Sequence, residues 1–322
     1  MRQRTYAIVL AGGDGSRLFG LTTTPTGVRV PKQFCSLTGG PTLLRQTIER
    51  AASLVPREQI VVVVSEKHRA WWQRELADLP RENALVQPEN RGTASGILFP
   101  ALAIARRDPG ANVLVLPSDH YVGDEATLRA SFRMALEEVT VAPGRIALLG
   151  VTPDAPDTQY GWIVPRRGAR ARMRPIEVFV EKPPLESARD LMARGGLWSS
   201  FLFACRLSAL LDAFELTQPE LMRVFLGDSS SLRLGADLDE LYRTVPLRDF
   251  SRDVLERVAD RLGVLAVPAC GWSDLGTPER VASVLSVRGA AARARAASSA
   301  RERPVPVLSL ALAWQQAGGM AV

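Results

Sequence analysis

Tyr6-Ala7-Ile8-Val9-Leu10-Ala11-Gly12-Gly13-Asp14-Gly15-Ser16-Arg17 is the stretch that decides the fold. A short apolar run of strand formers stops at a glycine-rich turn, the pattern of a parallel strand buried on both faces. Three glycines at a strand end turn successive backbone N–H groups toward a concave surface, a geometry that cradles phosphate. Arg17 follows at once and can meet a phosphate with two parallel hydrogen bonds. The turn lacks the Gly-Lys-Ser/Thr ending of a Walker loop and the glycine spacing of a dinucleotide fingerprint.

Working outward, strand and helix patterns alternate with short links. Strands are predicted at 59–65, 84–87, 112–117 and 145–151. Helices are predicted at 42–54, where Thr42 is a candidate N-cap, and at 66–79, 93–107 and 124–139. The alternation specifies a doubly wound α/β fold, with a mixed, mostly parallel sheet and helices on both faces. Ligands of such sheets bind at the carboxyl ends of the strands, near the point where strand order reverses. The loops at 12–17, 88–92 and 117–120 all follow strands and are expected to share one cleft. The second half is more mixed. Strands are predicted at 160–164, 176–180, 199–205 and 264–267, and helices at 185–193, 207–226 and 253–260. Residues 1–287 read as one catalytic domain. From 288 to 322 an Ala/Arg-rich composition reads as a flexible tail.

Composition excludes several classes. No apolar run is long enough to span a membrane, and the N-terminus carries no apolar signal region, so a cytoplasmic protein is expected. Cys35, Cys205 and Cys270 have no paired spacing and read as small buried hydrophobes. Two histidines leave no material for a histidine-based zinc site. The net charge of +6 suits a phosphate-rich substrate. The arginines are scattered and no aromatics interleave with them, which argues against nucleic acid.

Only three of the 40 basic residues are lysines: Lys32, Lys67 and Lys182. A lysine that survives such a bias is a candidate for work that a broad guanidinium cannot do. Lys67 falls at an ordinary helix start. Lys32, in Pro31-Lys32-Gln33-Phe34, would reach the phosphates if 18–30 folds back as a lid. Lys182 stands beside Glu181 at a strand end, where a carboxylate suits sugar hydroxyls and an ammonium suits a sugar phosphate. Side chains alternate across a strand, so these two neighbours are not expected to face each other. Asp119, in Pro117-Ser118-Asp119-His120, and Asp274, in Gly271-Trp272-Ser273-Asp274, are carboxylates after strands. With substrate phosphates they form a candidate Mg²⁺ set, since Mg²⁺ rarely has an all-protein cage.

Leu10 to Leu18, Pro31 to Phe34, Pro88 to Ala94, Pro117 to His120, Tyr160-Gly161, Val180 to Pro183 and Gly271 to Asp274 occur in that order. Together they resemble the sugar-phosphate nucleotidyltransferases, and within them the mannose-1-phosphate guanylyltransferases. The resemblance covers about residues 6–287. It implies a Rossmann-like fold of the nucleotide-diphospho-sugar transferase type, Mg²⁺ as cofactor, and transfer of a guanylyl group from GTP to mannose 1-phosphate. It places Leu10, Ala11, Gly12, Gly13, Gly15, Ser16 and Ser118 along the nucleotide, with Arg17 and Lys32 at its triphosphate. Pro88, Asn90, Arg91 and Thr93 fall near the base. Tyr160, Gly161, Glu181, Lys182 and Ser199 fall at the sugar phosphate, and Asp119 and Asp274 at the metal. Two departures stand out. Ser199 occupies a position where the family usually has a sugar-contacting asparagine, and Phe19-Gly20 replaces a stretch that usually holds proline. Another sugar 1-phosphate or nucleoside triphosphate, or a non-catalytic sensor of sugar nucleotides, therefore stays open, as does a homodimer. The tail is shorter than the added domain of bifunctional relatives, so no isomerase activity is expected.

Overall fold

The computed structural model describes residues 4–37, 39–168, 171–227 and 238–298, with side chains described to residue 289. Among the described residues nine strands form one sheet: β1 (Thr5–Ala11), β2 (Ile60–Ser65), β3 (Ala84–Gln87), β4 (Asn112–Pro117), β5 (Ile146–Val151), β6 (Gly161–Pro165), β7 (Arg174–Glu181), β8 (Leu197–Arg206) and β9 (Leu262–Val267). Their order is β3-β2-β1-β4-β8-β5-β9-β7-β6. The block β3-β2-β1-β4 is parallel, whereas β8 and β7 run against their neighbours. The other seven strands share one direction, so the sheet is mixed, with a parallel block at β3-β2-β1-β4 and a parallel β5–β9 pair.

Helices sort onto the two faces because each buried strand alternates between them. On β1, Tyr6 and Ile8 enter one core while Ala7, Val9 and Ala11 enter the other; β2 and β4 divide in the same way. One core is completed by α4 (Gly92–Arg107), α7 (Leu207–Thr217) and α8 (Pro219–Leu226). The other is completed by α2 (Leu43–Ala52), α3 (Arg69–Glu75) and α5 (Glu125–Val141). Burying one fully enclosed side chain such as Phe132 contributes roughly 1.5–3 kcal/mol. Thr42 caps α2 by accepting from the Arg45 N–H, as expected.

Boundaries differ from the sequence reading where a local signal is weak. The 207–226 pattern is two helices, because Pro219 starts a new one after Gln218. The 66–79 pattern shortens to a 3₁₀ turn and α3. Residues 253–260 become a short α10 (Phe250–Asp253) and a 3₁₀ segment, Leu255–Arg261. A helix α6 (Leu185–Ala193) precedes β8, and α9 (Leu238–Thr244) precedes α10. The 18–30 segment, considered above as a lid, doubles back on itself and lines neither hollow described below. It carries the one-turn α1 (Phe19–Thr22) and a narrow turn bridged at Thr23 and Arg29. The C-terminal helix α11 (Pro278–Ser298) runs unbroken across the expected 287/288 boundary, and residues 299–322 lie outside the described residues. Among the described residues no helix is long and apolar enough to cross a membrane.

Candidate active site

The chain leaves β1, pairs β2 and β3 on one side, then crosses to place β4 on the other. Strand order therefore reverses between β1 and β4, and a cleft opens at their carboxyl ends. Ser118 stitches the two strand ends together: its N–H and its hydroxyl both donate to the Leu10 carbonyl, at 3.0 and 2.7 Å.

The cleft has two halves. One hollow of about 310 Å³ is lined by Gly12, Gln87, Asn90, Gly92, Gly96 and the 247–249 segment. A second, of about 270 Å³, is lined by Gly15, Arg17, Gln33, Ser118, Asp119, Tyr160, Gly161, Glu181, Lys182, Ser199 and Asp274 among others. Leu10, Gly13, Thr93 and Asp249 border both. The three loops expected to converge do so. Ala11, Ser16, Pro88 and Arg91 are not on the walls: Ala11 completes β1, Ser16 opens a 3₁₀ turn, and Arg91 pairs with Glu89 at 2.9 Å.

The glycine loop is held from beneath. Gln33, 3% exposed, donates its amide to the Ala11 and Gly13 carbonyls at 3.0 and 2.7 Å. Gly15 has φ +62°, and a β-carbon there would sit 2.7 Å from the Lys32 nitrogen, so only glycine lets the loop lie on the 31–34 turn. Gly12 is less constrained: a β-carbon there would meet Gln87 Oε1 at 2.8 Å, the far end of a side chain that can shift. Arg17 lines the cleft, exposed and without an ion pair among the described residues.

Lys32 is placed differently from its expected role. It is 6% exposed and forms no wall of either hollow. Its ammonium binds Asp119 Oδ2 at 2.9 Å and the Asp274 and Leu275 carbonyls at 2.6 and 3.3 Å. A cation consumed by three protein oxygens orients the carboxylate loops rather than reaching for phosphate. Lys67, read as an ordinary helix-start residue, pairs with Asp14 of the glycine loop. Glu181 and Lys182 also depart from expectation: their charged groups meet at 2.8 Å. The strand ends there, and Lys182 has φ +50°, which breaks the alternation that would have kept them apart.

Electrostatics divide the cleft. Burial raises the Asp119 pKa, but the Lys32 ammonium and the His120 ring outweigh it, so the carboxyl sits below the ordinary carboxylate range. Burial likewise opposes ionisation of Asp274, and His120, Arg280 and the Tyr160 hydroxyl outweigh it. Burial takes His120 down to about 4. Its Nδ1 accepts from Trp272 Nε1 at 3.3 Å, so the neutral ring carries its proton on Nε2. Glu181 goes the other way: burial raises it, and Lys182 does not compensate fully. Beside it Tyr160, Trp198 and Trp272 pack their rings at 4.7 and 5.4 Å to form an aromatic wall. Burial pushes Cys35 up to about 12 and raises Cys205 and Cys270, as inert core thiols require.

Residues that the sequence reading did not single out complete the site. Gln87 is buried and donates to the Tyr242 hydroxyl at 2.9 Å. Asp249 accepts from Thr93 at 3.4 Å and borders both hollows. Arg280 binds both oxygens of Asp274 at 2.9 and 3.0 Å. Among the described residues Lys182, Phe201 and Leu275 are the non-glycine residues with positive φ, and all stand on the cleft or beside Asp274. Strained backbone of this kind concentrates at functional sites. Among the described residues no group of three or more His, Cys, Asp or Glu could hold a metal ion. The carboxylates Asp119 and Asp274 fit only an ion that takes its remaining ligands from substrate and water.

The glycine loop and the carboxylates Asp119 and Asp274 thus line one cleft of a doubly wound α/β sheet. The profile of the nucleotidyl transferase family matches residues 6–286, and the chain belongs to that family. It is 34% identical over 294 residues to a mannose-1-phosphate guanylyltransferase of Escherichia coli K12, covering 86% of this chain and 59% of that protein. The figures are 34%, 86% and 59% for the guanylyltransferase ManC of Salmonella typhimurium LT2. The chain thus spans about three fifths of the length of these curated relatives. Among solved structures, a protein described as mannose-1-phosphate geranyltransferase from Thermus thermophilus superposes with a TM-score of 0.76 at 31% identity. That match covers 88% of this chain and 80% of the other.

Proposed function

We propose that the chain transfers a guanylyl group from GTP to mannose 1-phosphate, releasing pyrophosphate and forming GDP-mannose in a Mg²⁺-dependent reaction. The observation that carries this reading is the pair of hollows meeting at Leu10, Gly13, Thr93 and Asp249, one over the glycine loop and one walled by Glu181, Lys182 and the aromatic cluster. A nucleotide in the first and a sugar phosphate in the second would bring their phosphates together at the glycine loop. The two bacterial relatives, both mannose-1-phosphate guanylyltransferases, support guanine and mannose as the pair. Both substrates are charged cytosolic metabolites, and the cytosol is where we place the chain.

In the reaction, a phosphate oxygen of the sugar phosphate attacks the α-phosphorus of GTP. The new P–O bond forms as the bond from that phosphorus to the oxygen bridging the β-phosphate breaks, and pyrophosphate leaves. A phosphate oxygen is already ionised at neutral pH, so no general base is needed. Positioning and charge stabilisation carry the rate. The Gln33-braced glycine loop offers its backbone to the triphosphate, and Arg17 offers a guanidinium. Glu181, short of water and held by Lys182, suits hydroxyl donors of the sugar. Lys32 fixes Asp119 and the backbone of Asp274 in register. Mg²⁺ bound by those two carboxylates and the phosphates would neutralise charge developing on the phosphoryl oxygens.

A panel of sugar 1-phosphates and nucleoside triphosphates, assayed for pyrophosphate release with and without Mg²⁺, tests the reading. The expected result is the highest kcat/KM for GTP with mannose 1-phosphate and none with Mg²⁺ removed. Preference for another pair redirects the substrate assignment, and binding of GDP-mannose without turnover for any pair sinks the catalytic one.

A further inference from the structure

Arg280 sits in the first turn of α11, in a segment that neither hollow includes. Its guanidinium nonetheless reaches three parts of the site. One nitrogen donates to both oxygens of Asp274, at 2.9 and 3.0 Å. Another pairs with Asp157, in the loop before β6. The guanidinium carbon lies 4.1 Å from the centre of the Tyr160 ring. The side chain is 16% exposed, so these contacts form out of bulk water.

Asp274 is correspondingly crowded. Oδ1 also accepts from the Tyr160 hydroxyl at 2.9 Å and the Gly276 N–H at 3.0 Å. A carboxylate offers about four lone-pair sites, and four donor contacts meet this one. Asp119 differs. Lys32 binds Oδ2, and the neutral His120 ring brings its Nε2 no nearer to Oδ1 than 3.7 Å. An incoming divalent cation can therefore approach Asp119 without moving Lys32. It cannot use Asp274 fully while Arg280 spans both oxygens, because a guanidinium and a divalent ion on one carboxylate repel. Arg280 has somewhere to go: Asp157 and the Tyr160 face already hold it.

We propose that Arg280 is a built-in counter-cation for Asp274. It neutralises that carboxylate while no divalent ion is bound, and yields it by withdrawing onto Asp157 and the Tyr160 ring when an ion arrives. Arg280 thereby sets the ion affinity of the site and ties it to the start of α11. The inference rests on the assignment of Asp274 to the metal.

Binding of Mn²⁺ alone, followed by loss of the free-ion electron paramagnetic resonance signal, tests it on four full-length chains: wild type, Arg280→Gln, Asp157→Asn and the double variant. Removing one cation in direct contact with the ligand carboxylate is expected to tighten Mn²⁺ binding about tenfold. Asp157→Asn removes the withdrawal partner and is expected to weaken binding. In the Arg280→Gln background the same change is expected to alter affinity less than about twofold, because coupled residues lose their coupling when one is absent. A merely structural role for Arg280 predicts the opposite, since a loosened Asp274 binds less well. Unchanged or weaker binding by Arg280→Gln overturns the proposal, as does equal weakening by Asp157→Asn in both backgrounds. Absence of Mn²⁺ binding in all four, both alone and with GDP-mannose added and compared with a protein-free control, overturns the metal assignment together with it.

Discussion

The ammonium of Lys32 lies 2.9 Å from a carboxylate oxygen of Asp119, and both groups belong to loops that leave different strands. The same nitrogen reaches the Asp274 carbonyl at 2.6 Å, across 242 residues of chain. One side chain thus ties the two candidate metal-binding loops to each other, and removing it should disturb both stability and chemistry.

Lys32→Ala is expected to lower turnover on the order of 10²–10³-fold, as for loss of one group that organises charge in a transition state. Losing a charged, mostly buried hydrogen-bonding centre should also cost about 2 kcal/mol of stability. At about 2.1 cal/mol/K of unfolding entropy per residue, that is a fall in Tm of roughly 3 °C for a chain of 322 residues. Steady-state kinetics and thermal denaturation check the two effects separately. Near-normal turnover would show that Asp119 needs no such tie.

Gln33→Leu keeps the volume and deletes the two amide contacts to the Ala11 and Gly13 carbonyls. Each is worth about 0.5–1.5 kcal/mol, so the KM for GTP should rise roughly tenfold through a loosened phosphate loop. The KM for the sugar phosphate should change little. An equal rise in both would mean that the brace supports the whole cleft and not the loop alone.

The two hollows should separate kinetically. Glu181→Gln is expected to raise the KM for the sugar 1-phosphate several-fold and leave GTP unaffected, because Glu181 lines only the second hollow. Gln87→Leu, in the first hollow, is expected to do the reverse. The measurement is a pair of KM values for each variant, and crossed effects would contradict the division.

Acid should destabilise the chain before its carboxylates titrate. The sequence has only two histidines, His68 and His120, and both are buried. Burial lowers the pKa of each, to about 4 for His120, so protons bind the unfolded chain more readily than the folded one. Stability is then fully present above about pH 6.5, the ordinary histidine value, and drains away as pH falls below it. Between pH 6.5 and 5 the loss for one such group reaches at most about 2 kcal/mol, at 1.36 kcal/mol per pH unit. Thermal denaturation across this range should show the slope, and His68→Gln should flatten it. A Tm independent of pH from 5 to 7 would mean that these rings reach solvent protons without unfolding.

Local pattern carried the fold and the cleft's main walls. The β1 run, the glycine turn and the carboxylates after β4 and β9 are legible because each needs only its own neighbours in sequence. Lys32 was legible as unusual but not in its task, since its three oxygen partners come from distant loops. Gln33 stood inside a quoted motif, yet nothing in a lone glutamine says that it will brace a loop 20 residues upstream. Gln87 at the end of β3, Asp249 at the start of α10 and Arg280 in α11 carry no local signal, because their partners come from distant parts of the chain. Even the Glu181–Lys182 pair depended on a positive φ that strand alternation does not anticipate.

The shared border of the two hollows has a consequence for what leaves the cleft. Leu10, Gly13, Thr93 and Asp249 serve both sides, so on the proposed reading a sugar joined to a nucleoside through one diphosphate fills both hollows as a single body. It loses its overall freedom of motion once, where two separate substrates lose theirs twice. On that same reading the cleft that assembles the reactants also grips the finished molecule as a bidentate guest, and slow product departure is the expected brake on the cycle.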